Sequence, residues 1–306
     1  MCARTDGAAA AVNVRERARA AFLGFALGDA LGATTEFMTA AEIRSAFGVH
    51  RHVIGKGWLG LKPGRVTDDT EMSLCLARAV VAVGRWDLRT AAEHLAVWLK
   101  SGPVDVGTTC RRGIRAYLLK GQLETPPDEW DAGNGAAMRM VPVALLTLGA
   151  DELLERVGVE QAHLTHNHPL SDAACLAVGR MVQTAVLGGD APALRDVARD
   201  LAVRHPVFRF NPYRGECSAY VVDTLRTVFH HFFTTATFED CLVAVVNQGG
   251  DADTAGAIAG AICGGFYGRE ALPRRWLRRL DRSVFAAIEE LAERLVLLSP
   301  WVKGRL

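Results

Sequence analysis

Glycines recur at every fourth position in the stretch NQGGDADTAGAIAGAICGG, at Gly256, Gly260 and Gly264. A row with that spacing lies on one side of a helix and presents no side chain, so another backbone can approach closely. Ile258 and Ile262 mark an apolar stripe on the same helix, and no charge falls between Thr254 and Gly268. The run is too short to span a membrane and too rich in glycine, so it reads as a tightly packed central helix of a soluble chain. Its mouth, however, is acidic. Stepping back from Ile258 by four and seven residues reaches Thr254 and Asp251 on the same face, with Asp253 beside them.

Two other segments repeat the conflict between charge and core. In the first predicted helix, Val14 to Leu31, Phe22, Phe25 and Asp29 are spaced by three and four, which puts the Asp29 carboxylate on the buried stripe. An unpaired buried charge costs several kcal/mol, roughly, so Asp29 needs a partner. In GRVTDDTEMSLCLARAV, the apolar positions Met72, Cys75, Leu76, Ala79, Val80 and Val83 keep helical spacing, and Asp68 and Asp69 extend the same face. Helix capping explains each acidic cluster taken alone, with Asp68 as N-cap and Glu71 three residues on, or with Asp251 and Asp253 at the later helix.

The two clusters share a composition, T-D-D-T in one and D-A-D-T in the other, each opening a buried helix. Four carboxylates from two such ends repel one another unless positive charge lies between them. Hard cations such as Mg²⁺ or Mn²⁺ take carboxylate and hydroxyl oxygens, and two of them can share bridging carboxylates. Neither cluster contains Cys or His, which argues against zinc.

Charge and composition narrow the remaining classes. The 35 basic and 34 acidic residues leave no bulk charge for a nucleic acid or an anionic membrane. Seven scattered cysteines with no C-x-x-C pair fit a reducing, cytoplasmic setting. Residues 1–13 read as a flexible tail without an apolar signal segment, and 14–306 as a single domain. Helical periods over Met72–Val83, Leu88–Lys100, Ser171–Leu187, Ala191–His205, Ala219–Phe233, Phe238–Val246 and Ser283–Leu298 predict an all-α fold, with function on helix ends and short loops.

Smaller motifs carry competing readings. Gly133, Asn134 and Gly135 in DAGNGAAMR precede a helical run, an arrangement suited to a pyrophosphate, although most such segments are simple turns. His163, His166 and His168 have no second cluster to complete a zinc site. Tyr213 is a candidate for stacking on adenine or ribose, although a half-buried tyrosine is the commoner explanation of such a residue. Arg111, Arg112 and Arg115 are candidates for holding an acidic protein or a phosphate, and the arginines of LPRRWLRRLDR read as a solvated face.

In order along the chain, GDALGATTEF, TDDTEMSL, PVDVGTTCRRGI, DAGNGAAMRMVP, THNHPLSDAACLAVGRM and NQGGDADTAGAIAGAICG resemble the motifs of the ADP-ribosylglycohydrolase family, most closely its bacterial nitrogenase-regulating members. The resemblance extends from about Arg17 to Leu297. It implies an orthogonal multi-helix bundle with two divalent cations, Mn²⁺ or Mg²⁺, in a central cleft. Thr67, Asp68, Asp69, Asp251, Asp253 and Thr254 would then be metal ligands, Glu36 the acid/base residue, and Asp105 a residue on the arginine side of the substrate. Gly133, Asn134, Gly135, Met138 and His166 would line the ADP-ribose pocket, with Tyr213 as a further contact. The implied reaction is removal of ADP-ribose from an arginine of a modified protein, dinitrogenase reductase, with a PII-type protein as regulatory partner. An O-linked target, serine or O-acetyl, and a non-catalytic ADP-ribose-binding protein are the alternatives.

Overall fold

Two rows of small residues, facing each other, decide how this chain packs. A computed structural model of the chain describes residues 3–215 and 217–304, the side chains of 3–12 excepted. Helix α1 (Ala3–Gly32) runs antiparallel to α12 (Ala252–Tyr267) at backbone contact. A Cβ at Gly24 would lie 2.2 Å from the Gly260 carbonyl oxygen, one at Gly28 1.9 Å from that of Gly256, and one at Gly32 2.2 Å from that of Ala252. Only glycine permits these approaches. The expected central helix is thus half of a pair, and its partner carries its own glycine row.

Between them lie α2 (Ala40–Phe47), α3 (Asp68–Val83), α4 (Leu88–Lys100), α5 (Thr108–Lys120), α6 (Val141–Leu146), α7 (Asp151–His163), α8 (Pro169–Val186), α9 (Ala191–Arg204), α10 (Val221–Thr234) and α11 (Phe238–Val246). After α12 come α13 (Arg274–Leu277), α14 (Arg282–Leu298) and α15 (Pro300–Lys303). The described residues form no β-strand, only three isolated bridges. The all-α reading holds. Of the tail expected at 1–13, residues 1–2 and the side chains of 3–12 lie outside the description, and the described α1 backbone begins at Ala3.

The main core surrounds the α1–α12 pair, with Phe22, Phe25, Ile258 and Ile262 buried on it. Helix α14 closes one side with an amphipathic stripe of Val284, Ile288, Leu291 and Leu295. A second apolar cluster of Met72, Leu76, Leu95, Ile114 and Met138 joins α3, α4 and α5. The antiparallel register brings the end of α1, and so Glu36 just beyond it, to the start of α12.

Candidate metal centre and ligand cleft

Asp29 finds its partner in another helix. Its carboxylate accepts the backbone N–H groups of Thr67 at 3.0 Å and Thr70 at 3.1 Å, together with both threonine hydroxyls. It therefore caps the start of α3 from α1, satisfying amides that a helix leaves without internal partners. This corrects the expected N-cap at Asp68. Thr67 occupies that position without a side-chain cap, and Asp68 is the first helical residue. Asp251 likewise stands at the N-cap of α12 without capping it.

The acidic side chains freed from capping converge on one cleft of about 290 Å³. Six carboxylates line it, Glu36, Asp68, Asp69, Asp105, Asp251 and Asp253, and no Lys or Arg is among the lining residues. Carboxylate oxygens of Glu36, Asp251 and Asp253 lie within 4.8 Å of one another. Asp69 Oδ2 accepts the Thr254 hydroxyl at 3.2 Å and the Thr67 hydroxyl at 3.3 Å, which joins the two sequence clusters directly. Asp69 Oδ1 is buried with no hydrogen-bond partner. A buried orphan oxygen among carboxylates and hydroxyls is what a hard cation would satisfy, so the donor set fits one.

Burial pushes these acids upward. Glu36 is raised to about 8 by burial, reinforced by the Asp105, Asp251 and Asp68 charges and opposed by a hydrogen bond from Trp58. Asp68 is raised to about 8, by burial and then by Asp105. Asp69 and Asp253 lie well above the ordinary range, also chiefly through burial. Asp105 is raised as well, by burial against the Val106 amide. Without a countercharge the cluster must hold protons near neutrality. An acid with a raised folded-state pKa binds more protons folded than unfolded, so its stabilisation is full below the ordinary value and lost as pH rises to the raised one. In chelating buffer, the thermal midpoint is therefore expected to fall as pH rises from 4.5 to about 8, the window set by Glu36. Scanning calorimetry checks this, and a midpoint rising across that window would require another countercharge in the cleft.

The opposite wall is the turn that was read as a pyrophosphate cradle. Asn134 donates to Asp251 Oδ2 at 2.9 Å. Added Cβ atoms at Gly133 and Gly135 would stand 3.0 Å and 2.8 Å from the His166 ring, so both glycines make room for that imidazole. Met138 and His166 also line the cleft. Thr165 accepts from Arg139 and stands 2.8 Å from His166 Nδ1, which holds the ring in place. His166 is held neutral, its pKa well below the usual range through burial, then through the Arg139 and Arg112 charges.

Three contacts around the cleft escape sequence reading. Arg139 is fully buried and bonds neutral acceptors, Gln161, Thr165, the Gly135 carbonyl and the Cys110 sulfur, thereby fixing the turn. Trp58 donates its indole N–H to Glu36 Oε2 at 2.7 Å. Arg112 pairs with Asp131 and Asp128, so it serves the loop rather than an external anion. The histidine motif also disperses, with His163 on Asp172 and His168 capping α8. The structure does not bring Tyr213 into the cleft lining. Its ring stacks on His230 at 4.5 Å and its hydroxyl meets Thr227, which ties it to α10.

The family model for ADP-ribosylglycohydrolases matches residues 10–303. The chain belongs to the ADP-ribosylglycohydrolase family. It is 53% identical to the ADP-ribosyl-[dinitrogen reductase] glycohydrolase of Rhodospirillum rubrum, over 94% of this chain and 98% of that one. The ADP-ribosylarginine hydrolase Tri1 of Serratia proteamaculans is 30% identical over 93% of this chain and 80% of its own length. Among solved structures, an ADP-ribosylglycohydrolase-related protein complex superposes with a TM-score of 0.81 at 31% identity, over 94% of this chain and 99% of the other. This ADP-ribosylglycohydrolase therefore shares its fold along almost its entire length, and none of the described helices is long and apolar enough to cross a membrane.

Proposed function

We infer that this chain is a metal-dependent hydrolase that removes ADP-ribose from an arginine of dinitrogenase reductase and so restores nitrogenase activity. The observation that carries the reading is the six-carboxylate cleft with its orphan Asp69 oxygen, set opposite the Gly133–Gly135 turn in a chain so similar to the Rhodospirillum rubrum enzyme. Thr67, Asp68, Asp69, Asp251, Asp253 and Thr254 would hold two divalent cations, Mn²⁺ or Mg²⁺. Such ions supply Lewis-acid stabilisation and orient hydroxyl oxygens.

The chain's own groups divide the remaining work. Gly133, Asn134, Gly135, Met138 and His166 form the wall that takes the ADP-ribose, with Asn134 also fixing Asp251. Glu36, poised near neutrality, takes a proton from the water that attacks the anomeric carbon. It returns one to the guanidine nitrogen as the C–N bond breaks, so the carboxylate is regenerated. Asp105 lies toward the arginine, and the carboxylates oppose positive charge on the sugar ring. The 14–306 region acts as one domain on this reading, in a cytoplasm whose reducing conditions suit the six free, buried cysteines among the described residues. A PII-type regulator belongs to the same reading, with no residue of this chain assigned to it.

Purified protein with Mn²⁺ is expected to release ADP-ribose from ADP-ribosylated dinitrogenase reductase, to stop on chelation, and to leave a serine-linked peptide intact. Release from serine but not arginine would replace this reading with an O-glycosidic one.

A further inference from the structure

Backbone strain in this molecule is concentrated beside one carboxylate. Among the described residues only Phe37 and Lys56 have positive φ without being glycine, at 60° and 66°. A bulky side chain in that region is disfavoured and persists where the surroundings hold it. Phe37 is held because its N–H donates to the Gly250 carbonyl at 2.7 Å, with Gly250 returning a bond to Met38 at 2.8 Å. Lys56 is held by paired bonds with Leu61 at 2.6 and 2.9 Å, which close a turn with Trp58 at its tip. Gly57 seats that turn on the end of α1, where a Cβ would lie 2.2 Å from the Ala33 carbonyl.

The two strained segments bring two aromatic rings together. Phe37 and Trp58 meet at 5.2 Å between ring centroids, tilted by 50°. They remain 64% and 55% exposed, an unfavourable fate for large apolar groups with no other use. Phe37 lines the cleft, and the Trp58 indole N–H binds Glu36 at 2.7 Å. The pair thus stands beside the proposed acid/base residue, in front of a cleft whose six carboxylates attract cations. A planar guanidinium is suited to an exposed aromatic face in such a field.

We propose that Phe37 and Trp58 form the arginine-side wall of the cleft: Trp58 positions the Glu36 carboxylate, and the exposed ring faces receive the guanidinium of the modified arginine. This rests on the arginine-linked reading above. A serine-linked substrate has no cation at that point and gains nothing from the wall.

The test uses full-length protein with Mn²⁺, ADP-ribosylated free arginine as substrate, and free ADP-ribose as a binding probe in calorimetry. Phe37→Gly relieves the left-handed strain, so its thermal midpoint should equal or exceed that of the wild type while KM rises about fivefold. Trp58→Phe keeps a ring but loses the N–H, so kcat should fall at least about tenfold with KM nearly unchanged. Trp58→His, which restores a ring N–H, should recover part of that loss. All three variants should bind free ADP-ribose within about twofold of wild type, since the wall lies on the arginine side. An unchanged KM in Phe37→Gly overturns the guanidinium contact, and an unchanged kcat in Trp58→Phe overturns the positioning role. A wild type inactive on the arginine probe would instead overturn the reading of the reaction itself.

Discussion

Asp69→Asn is expected to leave the metal-free protein at least as stable as the wild type while lowering kcat/KM about 10³-fold, the equivalent of several kcal/mol of lost charge stabilisation. The opposed signs follow from the geometry. Asp69 is buried, pushed well upward by burial and then by the Asp29 and Asp68 charges, and one of its oxygens has no partner. Asparagine removes that charge at constant shape. It keeps a carbonyl for the Thr67 and Thr254 hydroxyls, and its amide can donate to the neighbouring carboxylates. What it cannot do is act as an anionic ligand. Wild-type protein at a hundred times the metal dissociation constant gains about 2.7 kcal/mol. That corresponds to about 4 °C in thermal midpoint for a chain of 306 residues. The variant should lose most of this metal-dependent rise. Differential scanning with and without Mn²⁺ separates the cases: an undiminished rise would remove Asp69 from the ligand set, and a metal-free variant that melts far below wild type would make its role structural.

How far the sequence revealed this site depended on whether the signal was local. The α4 and α11 boundaries match the expected Leu88–Lys100 and Phe238–Val246, because amphipathic spacing and flanking turns are properties of one segment. The two acidic clusters were legible for a related reason: carboxylates on a buried face conflict with their own helix, and that conflict is visible without coordinates. The choice between capping and cation binding was not. It depended on Asp29, 38 and 41 residues before the Thr67 and Thr70 amides it caps, and on which oxygen in the assembled cleft remained without a partner. Trp58 and Arg139 were hidden differently. A tryptophan between turn glycines and an arginine within MRMVP carry no periodic signal, and each acquires its role only through contacts with distant chain. Tyr213 shows the same limit, since its stack on His230 of α10 joins chain segments whose proximity carries no local sequence signal.

The glycine rows were the most consequential signal, and only half of it was read. Gly28→Ala should cost at least about 3 kcal/mol, at or beyond the upper end of ordinary overpacking. The new Cβ would lie 1.9 Å from the Gly256 oxygen, 2.3 Å from its carbonyl carbon and 2.8 Å from the Ala257 nitrogen. All three are backbone atoms, so no side chain can rotate aside and α12 must move as a unit. Alanine's better helix propensity returns only about 1 kcal/mol. Gly121→Ala is the control, at a left-handed position with φ 66° and open space around the added carbon, and should cost about 1 kcal/mol. Urea unfolding of both variants provides the comparison, and a Gly28→Ala cost no larger than that of the control would contradict backbone contact between the helices. The same displacement has a functional consequence. Glu36 follows α1 and Asp251 and Asp253 open α12, so their approach within 4.8 Å depends on that contact. Any Gly28→Ala protein that folds should therefore bind Mn²⁺ more weakly than wild type, although the substitution alters no residue of the cleft.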